Sequence, residues 1–156
     1  MDTLVPEIFA KLKEKRWMIA TAESCTGGLI SWALTEVPGS SEFVDRGFVT
    51  YSNAAKSDML GVAPDLIEQF GAVSEPVARA MVQGALRHSK ADIAIAVTGI
   101  AGPGGGTAEK PVGLIYIAIG TKDHTEVFEH HFSGERSEIR VSTVTAALVH
   151  TIQVLS

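Results

Sequence analysis

An α/β fold is predicted, a three-layer α/β/α sandwich around one mixed, mostly parallel sheet. Three observations carry that expectation. Segments with apolar residues at helical spacing precede, separate and follow short apolar runs of strand length, the alternation from which layered α/β domains are built. Residues 92–98, Asp-Ile-Ala-Ile-Ala-Val-Thr, are apolar nearly throughout, as in a strand covered on both faces. Residues 112–120 and 126–132 flank the polar turn Lys122-Asp123-His124 and predict an antiparallel hairpin. With 156 residues, 46% of them hydrophobic, the chain fits one domain over 1–156 that can bury a core.

The elements follow in order. Leu4, Ile8, Phe9 and Leu12 repeat at helical spacing, with Pro6 in the first turn and Lys13, Lys15 and Arg16 near the end, so a helix is expected over about 3–15. Residues 17–22 read as the first strand. A helix then opens near Gly27, with apolar positions Leu29, Ile30, Ala33, Leu34 and Val37 and with Thr26 as its expected cap, until Pro38-Gly39 stops it. A second strand is expected over 47–52, carrying Val49 and Tyr51 on one side. A short helix over 53–60 follows, capped by Ser52 or Asn53 and ended by Gly61, which puts Lys56 in its first turn. Another short helix begins after Pro64. Ser74-Glu75-Pro76 starts a longer one, whose stripe is Val77, Ala78, Met81, Val82, Ala85 and Leu86. Residues 135–155 close the chain as a helix with Val141, Val144, Leu148, Ile152 and Leu155 on one side.

Composition excludes several classes of function. A net charge of −5 argues against a nucleic-acid or anionic-membrane partner held by bulk charge, while leaving room for a local basic pocket. A single cysteine excludes an internal disulfide framework and suits a reducing compartment. The first residues lack a basic segment followed by an apolar one, and no apolar run reaches spanning length, so the cytoplasm is the expected location. Trp17 and Trp32, placed near the surface, leave room for a homodimer or higher homo-oligomer.

The chemistry is expected at loops after the strands. Thr21-Ala-Glu-Ser-Cys-Thr-Gly-Gly28 joins an apolar run to a helix, where free N–H groups attract anions and Gly27-Gly28 let a ligand approach the backbone. Ser24 and Cys25 lie at its mouth, and either could be a nucleophile. Gly99-Ile-Ala-Gly-Pro-Gly-Gly-Gly-Thr107 follows a buried strand, where ligand-binding loops of open α/β sheets sit. It matches neither a Walker A motif nor a dinucleotide fingerprint. His130 and His131 alternate across a strand, which makes them poor partners for one metal ion, and no metal or cofactor is expected.

Three stretches taken together, Glu23-Ser-Cys-Thr-Gly-Gly28, Thr50-Tyr-Ser-Asn-Ala-Ala-Lys56 and Thr98-Gly-Ile-Ala-Gly-Pro-Gly-Gly-Gly106, closely resemble the CinA C-terminal domain family. Gly71-Ala-Val-Ser-Glu-Pro76, Lys110-Pro-Val-Gly113 and Phe132-Ser-Gly-Glu-Arg136 extend the resemblance over almost the whole chain. The family implies an α/β/α fold and, for its stand-alone members, hydrolysis of the carboxamide of nicotinamide mononucleotide to nicotinate mononucleotide and ammonia. By the resemblance Ser24 is the nucleophile, Lys56 its basic partner and Tyr51 a polar helper. Thr98 matches a site threonine, and a family arginine in the last helix maps to Arg140 or Arg136. Thr26, Gly27 and Gly28 are candidates for oxyanion donors, and Gly99 and Gly102 for the substrate cradle. A small nucleotide is the implied partner. A nucleotide-binding or regulatory module that keeps the pocket without turnover is the alternative.

Overall fold

The computed structural model describes residues 2–156. Its helices are α1 (Leu4–Lys15), α2 (Leu29–Thr35), α3 (Asn53–Leu60), α4 (Pro64–Phe70), α5 (Glu75–Arg87) and α6 (Arg136–Leu155). Its strands are β1 (Ile19–Glu23), β2 (Val44–Val49), β3 (Ile93–Gly99), β4 (Leu114–Thr121) and β5 (Thr125–His131), ordered β2-β1-β3-β4-β5 in one sheet. β1 pairs in parallel with both β2 and β3, whereas β3–β4 and β4–β5 are antiparallel. Four of the five strands therefore run in one direction, with β4 reversed.

Alternation along the strands divides the core into two layers. Ile19, Ile93, Ile95, Val97, Ile115, Ile117 and Ile119 belong to the apolar cluster shared with α1, α2 and α6. Ala20, Ala22, Ala94, Ala96 and Ala118 face the other way, towards Val77, Met81 and Val82 of α5. Large residues on one face and alanines on the other follow from the two-residue period of a strand. The alanine face lets α5 lie close to the sheet. A Cβ at Gly120 would come within 2.7 Å of Val82 Cγ1, and one at Gly84 on α5 would overlap the Leu60 carbonyl at the end of α3. The small residues thus fix how closely α3, which carries Lys56, approaches the centre of the domain.

Local sequence accounts for most boundaries. Ser52 caps α3 by accepting the Ala55 N–H at 3.0 Å, and Gly61 ends it at φ +71°. Ser74 caps α5, with Pro76 in the first turn. Glu135 and Glu138 form a capping box at the start of α6.

Three expectations are corrected. The second strand lies at Val44–Val49 rather than 47–52, so Tyr51 is off the sheet, 62% exposed. Thr26 does not cap α2; that position is Gly28, at φ +108°, and the Thr26 hydroxyl turns inwards instead. Val141 is exposed, and the buried side of α6 runs through Ile139, Thr143, Val144, Ala147, Leu148, Thr151 and Leu155. Among the described residues no helix is long and apolar enough to cross a membrane.

Candidate active site

The helix that follows β1 and the helix that precedes β3 lie on opposite faces of the sheet, α2 on the isoleucine face and α5 on the alanine face. From β1 the chain passes through α2 to β2, and it enters β3 from α3, α4 and α5, so a crevice opens beyond the C-terminal ends of the neighbouring strands β1 and β3. Ser24 directly follows β1, and Thr98 and Gly99 end β3. Both reach a cavity of about 290 Å³, also lined by Cys25, Tyr51, Lys56 and Arg136. A larger groove of about 760 Å³ lies at the other end of the sheet, between α5 and the β4–β5 turn. Its lining, including Trp17, Arg79, Arg87 and His124, brings no hydroxyl nucleophile against a buried base.

Lys56 is the central side chain of the crevice. It is 1% exposed, and its Nζ stands 3.0 Å from Ser24 Oγ. The carbonyls of Thr50, Tyr51 and Ser52 lie 3.0, 3.3 and 3.5 Å from the same nitrogen. Burial lowers its pKa from the ordinary 10.5 and outweighs the opposing influence of Cys25. The partners accommodate an ammonium, with its three N–H groups on the three carbonyls, and equally a neutral amine. Two N–H groups can go to the Thr50 and Tyr51 carbonyls, leaving the lone pair to accept the Ser24 hydroxyl proton.

Cys25 has a different environment although it adjoins Ser24. It is 6% exposed, and burial pushes its thiol up to about 11, so it stays protonated at neutral pH. A thiol reagent added to folded protein at pH 7.5 is expected to label Cys25 at the rate of opening or unfolding. Stoichiometric labelling within seconds would contradict this.

The turn that presents Ser24 is held from inside by Glu23, a fully buried carboxylate. Its Oε1 accepts the Thr26 hydroxyl at 2.6 Å and the Ile30 N–H at 2.9 Å, and its Oε2 accepts the Ser31 N–H at 3.0 Å. Arg140 holds the outside, donating from Nε to the Cys25 carbonyl and from Nη2 to the Thr26 carbonyl, both at 3.1 Å. The Gly27 N–H donates to the Ser24 carbonyl at 3.0 Å. Thr26, Gly27, Gly28 and Arg140 therefore build the turn rather than line the cavity.

Of the two arginines left open by the sequence, Arg136 is the one at the cavity. Its Nη1 donates to the Gly102 carbonyl at 2.8 Å and its Nη2 to Tyr51 Oη at 3.1 Å. The Tyr51 hydroxyl thus faces Arg136, while its main-chain carbonyl faces Lys56. Thr98 lines the cavity, its hydroxyl donating to the Ala72 carbonyl at 2.9 Å. Sequence reasoning assigned no role to Glu23. An acidic residue at the end of a buried strand just before a helix start is the signal for it, since the orphan N–H groups of that helix can satisfy it there.

Known proteins share this arrangement of strands and loops. The nicotinamide-nucleotide amidohydrolase PncC of Enterobacter agglomerans is 50% identical over 149 residues, covering 95% of this chain and 91% of that protein. A CinA-like protein of Syntrophobacter fumaroxidans is 51% identical over 146 residues, 94% of this chain but 34% of its own. The chain therefore spans about a third of the length of such relatives. The crystal structure of the competence/damage inducible protein CihA from Agrobacterium tumefaciens matches with a TM-score of 0.96 at 50% identity, covering 98% of this chain and 94% of that one. A family model described as the CinA C-terminal domain matches residues 1–155, and the chain belongs to that family.

Proposed function

We propose that the protein is a nicotinamide-nucleotide amidase, hydrolysing the carboxamide of nicotinamide mononucleotide to the carboxylate and ammonia. The observation that carries this reading is the buried contact of Lys56 Nζ with Ser24 Oγ at the sheet's switch point, in a chain half identical to an amidohydrolase of nearly its own length. A binding pocket has no need of a hydroxyl hydrogen-bonded to a lysine whose pKa burial has lowered.

Neutral Lys56 takes the Ser24 proton as Oγ attacks the carboxamide carbon. The Ser24 and Gly27 N–H groups are committed to the Val97 and Ser24 carbonyls, so the N–H of Cys25, the next turn residue at the cavity, receives the oxyanion. Protonated Lys56 returns its proton to the departing ammonia, leaving an acyl ester on Ser24. Water, deprotonated by Lys56, then adds to the acyl carbon, the bond to Ser24 Oγ breaks, and Lys56 returns the proton to that oxygen as the nicotinate product leaves. Arg136 and the glycine loop hold the phosphate, the guanidinium supplying the charge and the loop the close approach. Every proton in this scheme is carried by Lys56, and no metal is called for.

The test is ammonia release from nicotinamide mononucleotide with a chelator present and folding verified. Turnover in proportion to enzyme is expected. Saturable binding of the nucleotide without ammonia release would overturn the amidase reading in favour of a binding module.

A further inference from the structure

Two backbone segments beyond the nucleophile turn contribute to the cavity. One is the glycine-rich loop after β3, through Ile100, Ala101, Gly102, Gly104 and Gly105; the other is the α4–α5 connection, through Ala72 and Val73. Neither segment has regular structure of its own. The spacing between them must be set by side chains.

Lys110 spans them. It lies at the far end of the glycine-rich segment, and its Nζ donates to the carbonyl of Phe70, the last residue of α4, at 2.6 Å. The last carbonyls of a helix lack intrahelical partners, and a cation there also meets the negative end of the helix dipole. The next residue, Gly71, makes the approach possible. It sits at φ +79°, and a Cβ there would come within 2.8 Å of Lys110 Nζ. The lysine itself starts from a fixed base, because Thr107 N–H donates to the Lys110 carbonyl at 2.8 Å and Lys110 N–H donates to Thr107 Oγ1 at 2.9 Å. The other end of the loop is fastened by Arg136 at Gly102.

We propose that Lys110 is a positioning residue for substrate binding: its ammonium ties the glycine loop to the α4–α5 connection and so sets the width of the pocket. Lys110 is not among the residues lining the cavity and acts through the two segments it joins. Without it both segments must be ordered when the ligand arrives, which weakens binding more than the chemical step. The kinetic part of this inference rests on the amidase reading.

The experiment compares wild type, Lys110→Met, which keeps the stem and loses the ammonium, and Lys110→Arg, which restores a cationic donor. KM and kcat are measured with nicotinamide mononucleotide. Hydrogen exchange is measured in the ligand-free proteins at the Thr107 and Gly71 amides, which donate to Lys110 and Ile67 carbonyls. Lys110→Met is expected to raise KM about three- to tenfold with kcat within about twofold, and to speed exchange at both amides. Lys110→Arg is expected to recover most of both. Unchanged KM and exchange in Lys110→Met would overturn the proposal, as would a fall in kcat and melting temperature at unchanged KM, the mark of a merely structural role. If wild type releases no ammonia, the amidase reading fails while exchange still decides whether Lys110 is the tie.

Discussion

Ser24→Ala and Lys56→Met are each expected to remove nearly all amidase turnover while leaving the fold intact. Loss of the nucleophile leaves only binding and oxyanion contacts, a fall of roughly 10³-fold or more in kcat. Loss of the base is expected to cost on the order of 10²–10⁴-fold, or about 3–5 kcal/mol of transition-state stabilisation. Lys56→Arg is expected to be as inactive as Lys56→Met, because a guanidinium stays protonated and cannot accept the Ser24 proton. The pH profile separates a base from a merely structural lysine. Only the neutral amine can act, so kcat/KM rises with pH through the folded pKa of Lys56, which burial holds below 10.5, and then levels. Stability follows the same group. Over the window between the lowered folded pKa and 10.5 the unfolded chain binds more protons, so folding stability rises with pH there, and Lys56→Met loses that slope. A Lys56→Met variant with more than about a tenth of wild-type turnover would end the role of Lys56 as the base.

Legibility of this site in the sequence depended on whether a residue's partners are local. Ser52 capping α3 and Ser74 capping α5 were readable because each cap acts within three residues. Residues 92–98 were readable because burial on both faces leaves a continuous apolar run, and the hairpin because its turn is a polar interruption of two such runs. β2 was misplaced for the complementary reason. It is an edge strand, paired only with β1, and Val-Asp-Arg-Gly-Phe-Val mixes exposed and half-buried positions. Its Gly47 looks like a strand start, yet it lies inside the strand, and glycine stands there because a Cβ would overlap the hydroxyls of Ser31 and Thr21. Ser24 and Lys56 were nameable through the resemblance, but their 3.0 Å contact bridges 32 residues. The choice between Arg136 and Arg140 was equally non-local. They are one helical turn apart on α6, and which one reaches the cavity depends on where the nucleophile turn and the glycine loop meet that helix.

Glu23→Ala is expected to be the most destabilising single change near the site, by about 3–5 kcal/mol, a large share of the 5–15 kcal/mol typical of a domain. Three donors depend on this carboxylate, the Thr26 hydroxyl and the Ile30 and Ser31 N–H groups. An alanine leaves all three facing a void where a charged acceptor stood. The two N–H groups belong to the first turn of α2, whose N-cap, Gly28, offers no side chain of its own. Glu23 therefore does from the preceding strand what a cap residue does from within the helix, and removing it frees the start of α2 and with it the turn carrying Ser24. Glu23→Gln separates charge from shape. The amide can still give one oxygen acceptor, but its NH₂ must then face the donor or donors left over, so a smaller loss of about 1–3 kcal/mol is expected. Urea unfolding of the two variants, with kcat measured where each is folded, checks the order. The capping role predicts that alanine loses more midpoint than glutamine and that both lower kcat, because Ser24 directly follows Glu23. An alanine variant within about 0.5 kcal/mol of wild type would mean that α2 finds its acceptors elsewhere and that the nucleophile turn is held without Glu23.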